Sequence, residues 1–309
     1  FADAPVDVAV IEVGMGGAWD ATNVVDAPVS VILPIDVDHR HFLGDTPADI
    51  ATEKAGIIKA DAIVVVAAQP HDDVAVILGD RADEVGARIV LDGRDFGVEE
   101  REVAVGGQQV ALQGLGGRYD DLFLPLHGAH RAQNAAVAVA AVEAFVGGGE
   151  RRLDDDVLRT ALANIASPGR LEIVRRSPTV MVDAAHNPHG VRALRDALQD
   201  SFTFGRLVGV IAVMGDKDAA EMLEILEPVF DEIIVTRTTS PRAMRPAALG
   251  ELAGEIFGEH RVTVVNDLPD ALDQAAELAD AGGVAGAVLA TGSVVTAAEV
   301  RMLLGQTEV

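Results

Sequence analysis

The sequence predicts an α/β protein, because apolar runs and helical stretches alternate along most of its 309 residues. Between Phe96 and Leu126, short strand-like runs are separated by Gly-Gly pairs, which predicts an antiparallel meander appended to a parallel sheet. After Ser167-Pro168-Gly169-Arg170 the alternation restarts, which predicts a doubly wound, Rossmann-like domain. We therefore expect two domains, residues 1–168 and residues 169–309.

Three apolar runs predict the buried strands of the first sheet: Val8–Val13, Val29–Ile35 and Ala62–Ala67. The first run begins almost at residue 1. A chain that opens inside a core strand looks truncated, so we expect its neighbouring strands to lie upstream of Phe1.

Helix signals separate these runs. Thr46-Pro47-Ala48-Asp49 has the pattern of a capping box with proline at the first helical position, and the helix that it starts carries Lys54. Three more helices are predicted in this half of the chain: His71–Ala87, Arg131–Phe145 and Asp155–Ala166.

Five strands are predicted after Ser167-Pro168-Gly169-Arg170: Val180–Val182, Leu207–Val213, Ile233–Thr236, Val262–Val265 and Ala287–Ala290. Polar residues follow several of them, among them Asp183, His186, Lys217, Arg237 and Ser293. Because parallel sheets bind ligands beyond the carboxyl ends of their strands, these clusters indicate a working face.

Composition excludes several classes of protein. The formal charge of −25 argues against nucleic acid or an anionic membrane as a partner. There is no run of eighteen apolar residues, no secretory signal and no cysteine, which together favour a cytoplasmic protein without disulfides or thiolate metal sites.

Lysine is rare. Lys54, Lys59 and Lys217 are the only lysines among the 24 basic residues. A lysine kept against this bias is a candidate for chemistry that guanidinium cannot perform, such as acylation or carbamylation. Chance retention remains the alternative.

Glu12 and His39 each lie at the end of a predicted strand of one sheet. A carboxylate and an imidazole placed there are candidates to share one divalent cation, and oxygen ligands suit magnesium. The alternative is a carboxylate that bonds to the following glycine-rich loop and a histidine in a turn.

The sequence contains neither of the two common nucleotide-binding motifs. Gly14-Met15-Gly16-Gly17-Ala18-Trp19 departs from the dinucleotide fingerprint because Trp19 occupies the third glycine position, and there is no Walker A sequence. By spacing alone, Asn134 is a ligand contact or a helix cap, and Arg170 is a phosphate clamp or an interface pair. Asp183 and His186 are ligand groups or a buried structural pair.

The ordered series EVGMGGAWDATN, DVDHRHFLGDT, EKAGIIK, HRAQNAA, SPGRLE, DAAHNPHG, MGDKD, TTSPRA and TGSVVTA resembles the folylpolyglutamate synthase/dihydrofolate synthase family of the Mur ligase superfamily. The match covers essentially the whole chain. It implies that residues 1–168 are the remainder of a Mur-ligase-type ATPase domain and that the Rossmann-like domain belongs to a glutamate ligase.

The resemblance implies an ATP-dependent amide ligase that joins L-glutamate to dihydropteroate or a folate through an acyl phosphate. It implies Mg²⁺ and ATP as cofactors and only small-molecule partners, namely a folate or dihydropteroate, L-glutamate and ATP. We also expect a monomer, although the sequence does not fix the oligomeric state. The roles it implies for individual residues are metal ligation (Glu12, His39), carbamylation and catalysis (Lys54), contact with the pterin-bearing substrate (Trp19, Asp20, Ala21), contact with ATP (Asn134, Arg170, Asp183) and a place near the glutamate (His186, Ser293).

The chain departs from the family at two places. Ala18 stands where the family usually has arginine, which puts a cation of the substrate loop in doubt. The family's P-loop would lie upstream of Phe1, so we expect this sequence to be a fragment. The alternatives are another Mur-type ligase acting on a cell-wall precursor and an inactive remnant that only binds folate or a partner.

Overall fold

The structure is a computed structural model that describes residues 6–37, 40–281 and 285–306. It divides into two compact units. The first comprises the described residues up to Glu102 together with Gln109–Phe123 and Ala132–Ala163. The second comprises Val103–Gln108, Leu124–Arg131 and the described residues from Asn164 onward. The predicted boundary between residues 168 and 169 stays a prediction.

The first unit contains a parallel three-stranded sheet in the order β1-β2-β3, formed by β1 (Val29–Ile32), β2 (Ile63–Val66) and β3 (Arg88–Leu91). Its helices are α1 (Arg40–Leu43), α2 (Pro47–Ala55) and α3 (Asp72–Val85). Apolar side chains of α2 and α3 pack with those of β1 and β2, and Ile50, Val64 and Leu78 are fully buried there. The strands predicted at Val29–Ile35 and Ala62–Ala67 are confirmed, with shorter bounds.

The capping box predicted for α2 is confirmed. Thr46 Oγ1 accepts a hydrogen bond from the Asp49 backbone N–H at 3.2 Å, and the Asp49 carboxylate accepts one from the Thr46 backbone N–H at 3.2 Å. Pro47 follows at the first helical position, where its missing N–H has no intrahelical partner to lose. The capping box and Pro47 therefore fix the start of α2, the helix that carries Lys54.

The strand predicted at Val8–Val13 is wrong. These residues form no regular element, and Val10 is 93% exposed. Among the described residues no strand pairs with the outer edge of β1. An apolar run becomes a strand only where it finds both a strand edge to pair with and a layer to pack against, and this run has neither here.

The predicted meander is confirmed as a sheet in the order β4-β5-β6, made of β4 (Gly97–Ala104), β5 (Gly107–Gln113) and β6 (Arg118–Leu124). Two residues join β4 to β5, a connection that only antiparallel neighbours allow. The predicted helices that follow are α4 (Ala129–Gly147) and α5 (Asp155–Ala163).

Glu143 lies fully buried in α4. Its carboxylate accepts hydrogen bonds from the Leu115 backbone N–H at 2.5 Å and from the Tyr119 hydroxyl at 2.6 Å. The Tyr119 oxygen in turn accepts one from the Leu153 backbone N–H at 2.6 Å. One buried acid therefore ties three segments of the first unit to α4.

The second unit contains a six-stranded sheet in the order β11-β10-β9-β12-β8-β7. Its strands are β7 (Glu172–Arg176), β8 (Thr179–Val182), β9 (Arg206–Ile211), β10 (Glu232–Val235), β11 (Val262–Val264) and β12 (Gly286–Thr291). All neighbours are parallel except the edge strand β7, which is antiparallel to β8. The five predicted strands are confirmed, and β7, like β3, was not predicted.

Helices cover both faces of this sheet: α6 (Pro188–Ser201), α7 (Ala219–Leu226), α8 (Pro246–Phe257), α9 (Leu268–Asp280) and α10 (Val294–Leu303). The first three contribute to one apolar core and the last two to the core on the other face. This confirms the doubly wound architecture, and it brings the carboxyl ends of β8, β9, β10 and β12 to one edge. In the part of the chain that the structure describes, no helix has the length and hydropathy needed to span a membrane.

Candidate functional site

The glycine-rich loop of the first unit docks on the last turn of α2. The Glu53 carbonyl accepts a hydrogen bond from the Ala18 N–H at 2.9 Å, and the Glu53 carboxylate accepts one from the Trp19 N–H at 3.0 Å. A Cβ on Gly17 would lie 2.6 Å from the Glu53 carbonyl oxygen, so this close approach requires glycine. The loop is thereby fixed beside Lys54, and the Trp19 side chain remains 55% exposed.

Asp20 organises the loop internally. Its carboxylate accepts hydrogen bonds from the Thr22 hydroxyl at 2.5 Å and from the backbone N–H groups of Thr22 and Met15, both at 2.9 Å. These bonds, that from the Thr22 side chain first, lower the pKa of Asp20 to about 2. Asp20 also caps the short 3-10 helix that starts at Ala21. The substrate contacts predicted for Trp19, Asp20 and Ala21 stay predictions.

Lys59 gives the loop a second support. Its ammonium donates to the backbone carbonyl and to the side-chain oxygen of Asn23, both at 2.9 Å. Asn23 in turn donates to the Ala18 carbonyl at 2.9 Å. The scarcity of lysine pointed to Lys59, but its loop-holding role depends on a contact 36 residues away in the chain.

The structure describes only part of the predicted metal site. Glu12 is exposed in an irregular segment, Lys54 is half-buried on α2, and His39 lies outside the described residues. Within residues 6–37, 40–281 and 285–306, no group of three His, Cys, Asp or Glu side chains could hold a metal ion. The described residues therefore do not complete a magnesium site by themselves, and the roles of Glu12, His39 and Lys54 stay predictions.

In the second unit, Asp183 holds the Ser167–Arg170 turn against the end of β8. Its buried carboxylate accepts hydrogen bonds from the backbone N–H groups of Leu171 and Ala185, both at 2.8 Å. The Ala184 N–H donates to the Gly169 carbonyl at 2.8 Å, so two bonds join the turn to the residues after β8. The structure thus brings together Arg170 and Asp183, two of the predicted nucleotide contacts.

Two arginines act on this carboxylate. Burial raises the pKa of Asp183, while its backbone hydrogen bonds and the positive charges of Arg170 and Arg131 oppose that rise. Burial lowers the pKa of Arg131, and the Asp183 charge acts the other way. The site is therefore locally cationic in a strongly acidic chain, as an anionic ligand would require. Arg131 was not predicted as a site residue, although it belongs to the motif HRAQNAA.

His186 follows the same strand end. Its Nδ1 lies 3.0 Å from the Ala184 carbonyl oxygen, and because a carbonyl only accepts, Nδ1 carries the proton in that bond. Nε2 is then the nitrogen that can accept a proton. Asn187 caps α6 by accepting a bond from the Gly190 N–H at 2.8 Å, so the chain turns from His186 directly into a helix N-terminus.

Ser293 caps α10 at the carboxyl end of β12. Its buried hydroxyl accepts from the Thr296 N–H at 3.0 Å and lies 2.7 Å from the Thr296 hydroxyl, which donates to the Ala212 carbonyl. In this structure the side chain orients α10, and its proximity to glutamate stays a prediction. Asn134 lies exposed on α4, and its contact with ATP likewise stays a prediction.

Comparison with known proteins adds independent information. A family described as "Mur ligase, glutamate ligase domain" matches residues 169–294. The dihydrofolate synthase/folylpolyglutamate synthase of Mycobacterium tuberculosis is 50% identical over 325 aligned residues, which cover 99% of this chain and 66% of that protein. The folylpolyglutamate synthase of Lacticaseibacillus casei is 34% identical over 276 residues, which cover 87% of this chain and 64% of the relative. The chain thus spans just under two thirds of these curated relatives.

Solved structures agree with this similarity. The M. tuberculosis folylpolyglutamate synthase complexed with ADP and AMPPCP superposes with a TM-score of 0.94 at 50% identity, covering 99% of this chain and 70% of that one. An Escherichia coli protein complexed with DHPP and ADP superposes with a TM-score of 0.81 at 31% identity, covering 95% of this chain and 65% of the other.

Proposed function

The chain belongs to the folylpolyglutamate synthase/dihydrofolate synthase family of the Mur ligases. We therefore propose that it functions as an ADP-forming amide ligase. The proposed reaction transfers the γ-phosphoryl group of ATP to a carboxylate of dihydropteroate or of a folate glutamate. The amine of L-glutamate then attacks the acyl phosphate, which forms the amide and releases phosphate.

The observation that carries this proposal is the turn that Asp183 fixes at the end of β8. It presents Arg170 at a strand end where the buried carboxylate and Arg131 are also present. An arginine held in this way suits a bidentate contact with a phosphate. The turn begins the segment that matches a glutamate ligase domain, which supports the assignment of this edge to the ligation chemistry.

The remaining roles follow the same proposal. Arg170, Asp183 and Asn134 contact ATP, and His186 and Ser293 lie near the incoming glutamate. Trp19, Asp20 and Ala21 face the pterin-bearing substrate on a loop that Glu53 and Lys59 hold in place.

Glu12 and His39 are the proposed ligands of the Mg²⁺ that accompanies ATP. Lys54 is proposed to be carbamylated, and intact mass measurement with and without bicarbonate tests this.

The direct test is glutamate-dependent release of ADP with dihydropteroate, a folate or a cell-wall nucleotide precursor as acceptor. We expect turnover with dihydropteroate or the folate and none with the cell-wall precursor. Preference for the precursor would identify a different Mur-type ligase. Folate binding without turnover would identify an inactive remnant.

Isothermal titration of the 309-residue chain with ATP and Mg²⁺ tests whether this chain suffices for nucleotide binding. Tight binding would refute the expectation that an upstream P-loop is needed. Because the reaction consumes ATP, we also propose a cytoplasmic location. Sedimentation of the purified chain tests the proposed monomer.

A further inference from the structure

Glu172 is the first residue of β7 and belongs to the motif SPGRLE, yet the proposed reaction assigns a role only to Arg170 of that motif. One oxygen of its carboxylate, Oε2, accepts a hydrogen bond from the Gly169 N–H at 2.6 Å. The Nε atom of Arg301, from α10, lies 2.9 Å from the same oxygen. The two side chains are only 25% and 15% exposed, so water screens this ion pair less than a surface pair.

The backbone is left-handed on both sides of Arg170. Gly169 has a φ of +69°, which glycine adopts readily, and Leu171 has a φ of +47°, a left-handed conformation that is strained for a leucine. The Leu171 N–H is bound by Asp183 and the Gly169 N–H by Glu172. Each neighbour of Arg170 is therefore fixed by its own carboxylate.

Arg301 extends this arrangement to α10. Ala297 lies one turn before Arg301, and a Cβ added to Gly169 would lie 3.4 Å from the Ala297 Cβ, in ordinary contact. The helix that packs beside the turn is the one that Ser293 caps. The Glu172–Arg301 pair thus joins the turn that carries Arg170 to the helix that begins at Ser293.

We propose that Glu172, braced by Arg301, is a positioning residue that sets the direction of the Arg170 side chain toward the phosphates of the nucleotide. This inference rests on the proposed function, in which Arg170 contacts ATP. In this proposal Glu172 bonds Gly169 and Arg301 rather than substrate, so its effect on the nucleotide passes through Arg170.

The test compares Glu172→Ala, Glu172→Gln, Arg170→Ala and the double variant Glu172→Ala/Arg170→Ala in the full 309-residue chain. ATP affinity is measured by calorimetry or, where binding is weak, by NMR titration. We expect Glu172→Ala to weaken ATP binding about tenfold, which corresponds to the loss of one charge-assisted hydrogen bond. Glu172→Gln retains the acceptor for Gly169 and should lose less. The double variant should bind no worse than Arg170→Ala alone, because the two residues act as a unit.

Hydrogen exchange provides a readout that does not depend on nucleotide. Glu172→Ala should speed exchange of the Gly169 amide, whereas Glu251→Ala, at an exposed site on α8, should not. Unchanged exchange at Gly169, or losses that add fully in the double variant, would overturn the positioning role. If the unsubstituted chain binds no ATP, that result agrees with the expectation that an upstream P-loop is needed and leaves the proposed function untouched, and the exchange measurement alone then decides the positioning proposal.

Discussion

Glu143 shows how much a single buried acid contributes to the first unit. Glu143→Gln would replace one of the two acceptor oxygens with an NH₂ donor. Either the Leu115 N–H or the Tyr119 hydroxyl would then face another donor instead of an acceptor. We expect a loss of about 1–3 kcal/mol in the free energy of unfolding, measured by urea denaturation. Glu150→Gln, the same change at an exposed position, should alter it by less than about 0.5 kcal/mol. Equal effects at both positions would show that the buried network does not stabilise the fold.

The hydroxyl of Tyr119 adds a pH dependence to the same network. Burial and the hydrogen bond to Glu143 raise the pKa of Tyr119 to about 12 from its ordinary 10.0. Between these values the unfolded chain releases this proton and the folded chain keeps it, so stability is complete below pH 10 and falls as the pH rises toward 12.

Phenolate absorbance of the native protein measures this titration directly, because Tyr119 is the only tyrosine. We expect a midpoint close to 12 in the folded chain and close to 10 in urea. A native midpoint near 10 would mean that the hydroxyl is not buried against Glu143.

At the scale of elements, the sequence predicted those whose signals are local. The capping box before α2 and the Val- and Ile-rich strands β2, β9 and β12 needed no knowledge of distant residues. It missed β3 and β7, which are four and five residues long and contain exposed charged residues at Arg88 and Arg176. Both are edge strands, which are defined by the neighbour they pair with. The apolar run at Val8–Val13 failed for the converse reason, because its pattern fits a strand for which no partner is described.

The candidate site follows the same rule. The positions of Asp183 and His186 at the carboxyl end of β8 were predictable because they follow a recognisable strand in a parallel sheet, and their roles stay predictions. The supports of the site were not. Glu53 binds the loop 34 residues before it, and Arg301 reaches Glu172 from α10. Such pairings depend on the packing of elements, which a local pattern does not record.

The contact between the glycine-rich loop and α2 makes a prediction for Gly56. A Cβ there would lie 2.4 Å from the Ala18 Cβ, so Gly56→Ala must push the loop away from α2. We expect a changed fluorescence emission of Trp19, the only tryptophan, and a free energy of unfolding that is lower by about 1–3 kcal/mol.

Gly79→Ala is the matched control. Gly79 lies within α3 with open space around it, and alanine there should stabilise the helix by about 0.5–1 kcal/mol. Destabilisation by both changes would locate the cost in the helices rather than in loop docking.

For the whole molecule, charge is the dominant property. With 49 acidic and 24 basic residues, repulsion among carboxylates acts across the surface. Exposed ion pairs such as Arg118–Glu100 oppose it weakly, since each is worth about 0–1 kcal/mol. Salt weakens both effects, and we expect the repulsion from an excess of 25 negative charges to outweigh the weak exposed ion pairs. Raising NaCl from about 10 mM to about 150 mM shortens the screening length from about 30 Å to about 8 Å, and we therefore expect the thermal unfolding midpoint to rise. The same titration near pH 4.5, where the net charge approaches zero, should show little change. A midpoint that falls with salt at neutral pH would mean that the ion pairs outweigh the repulsion.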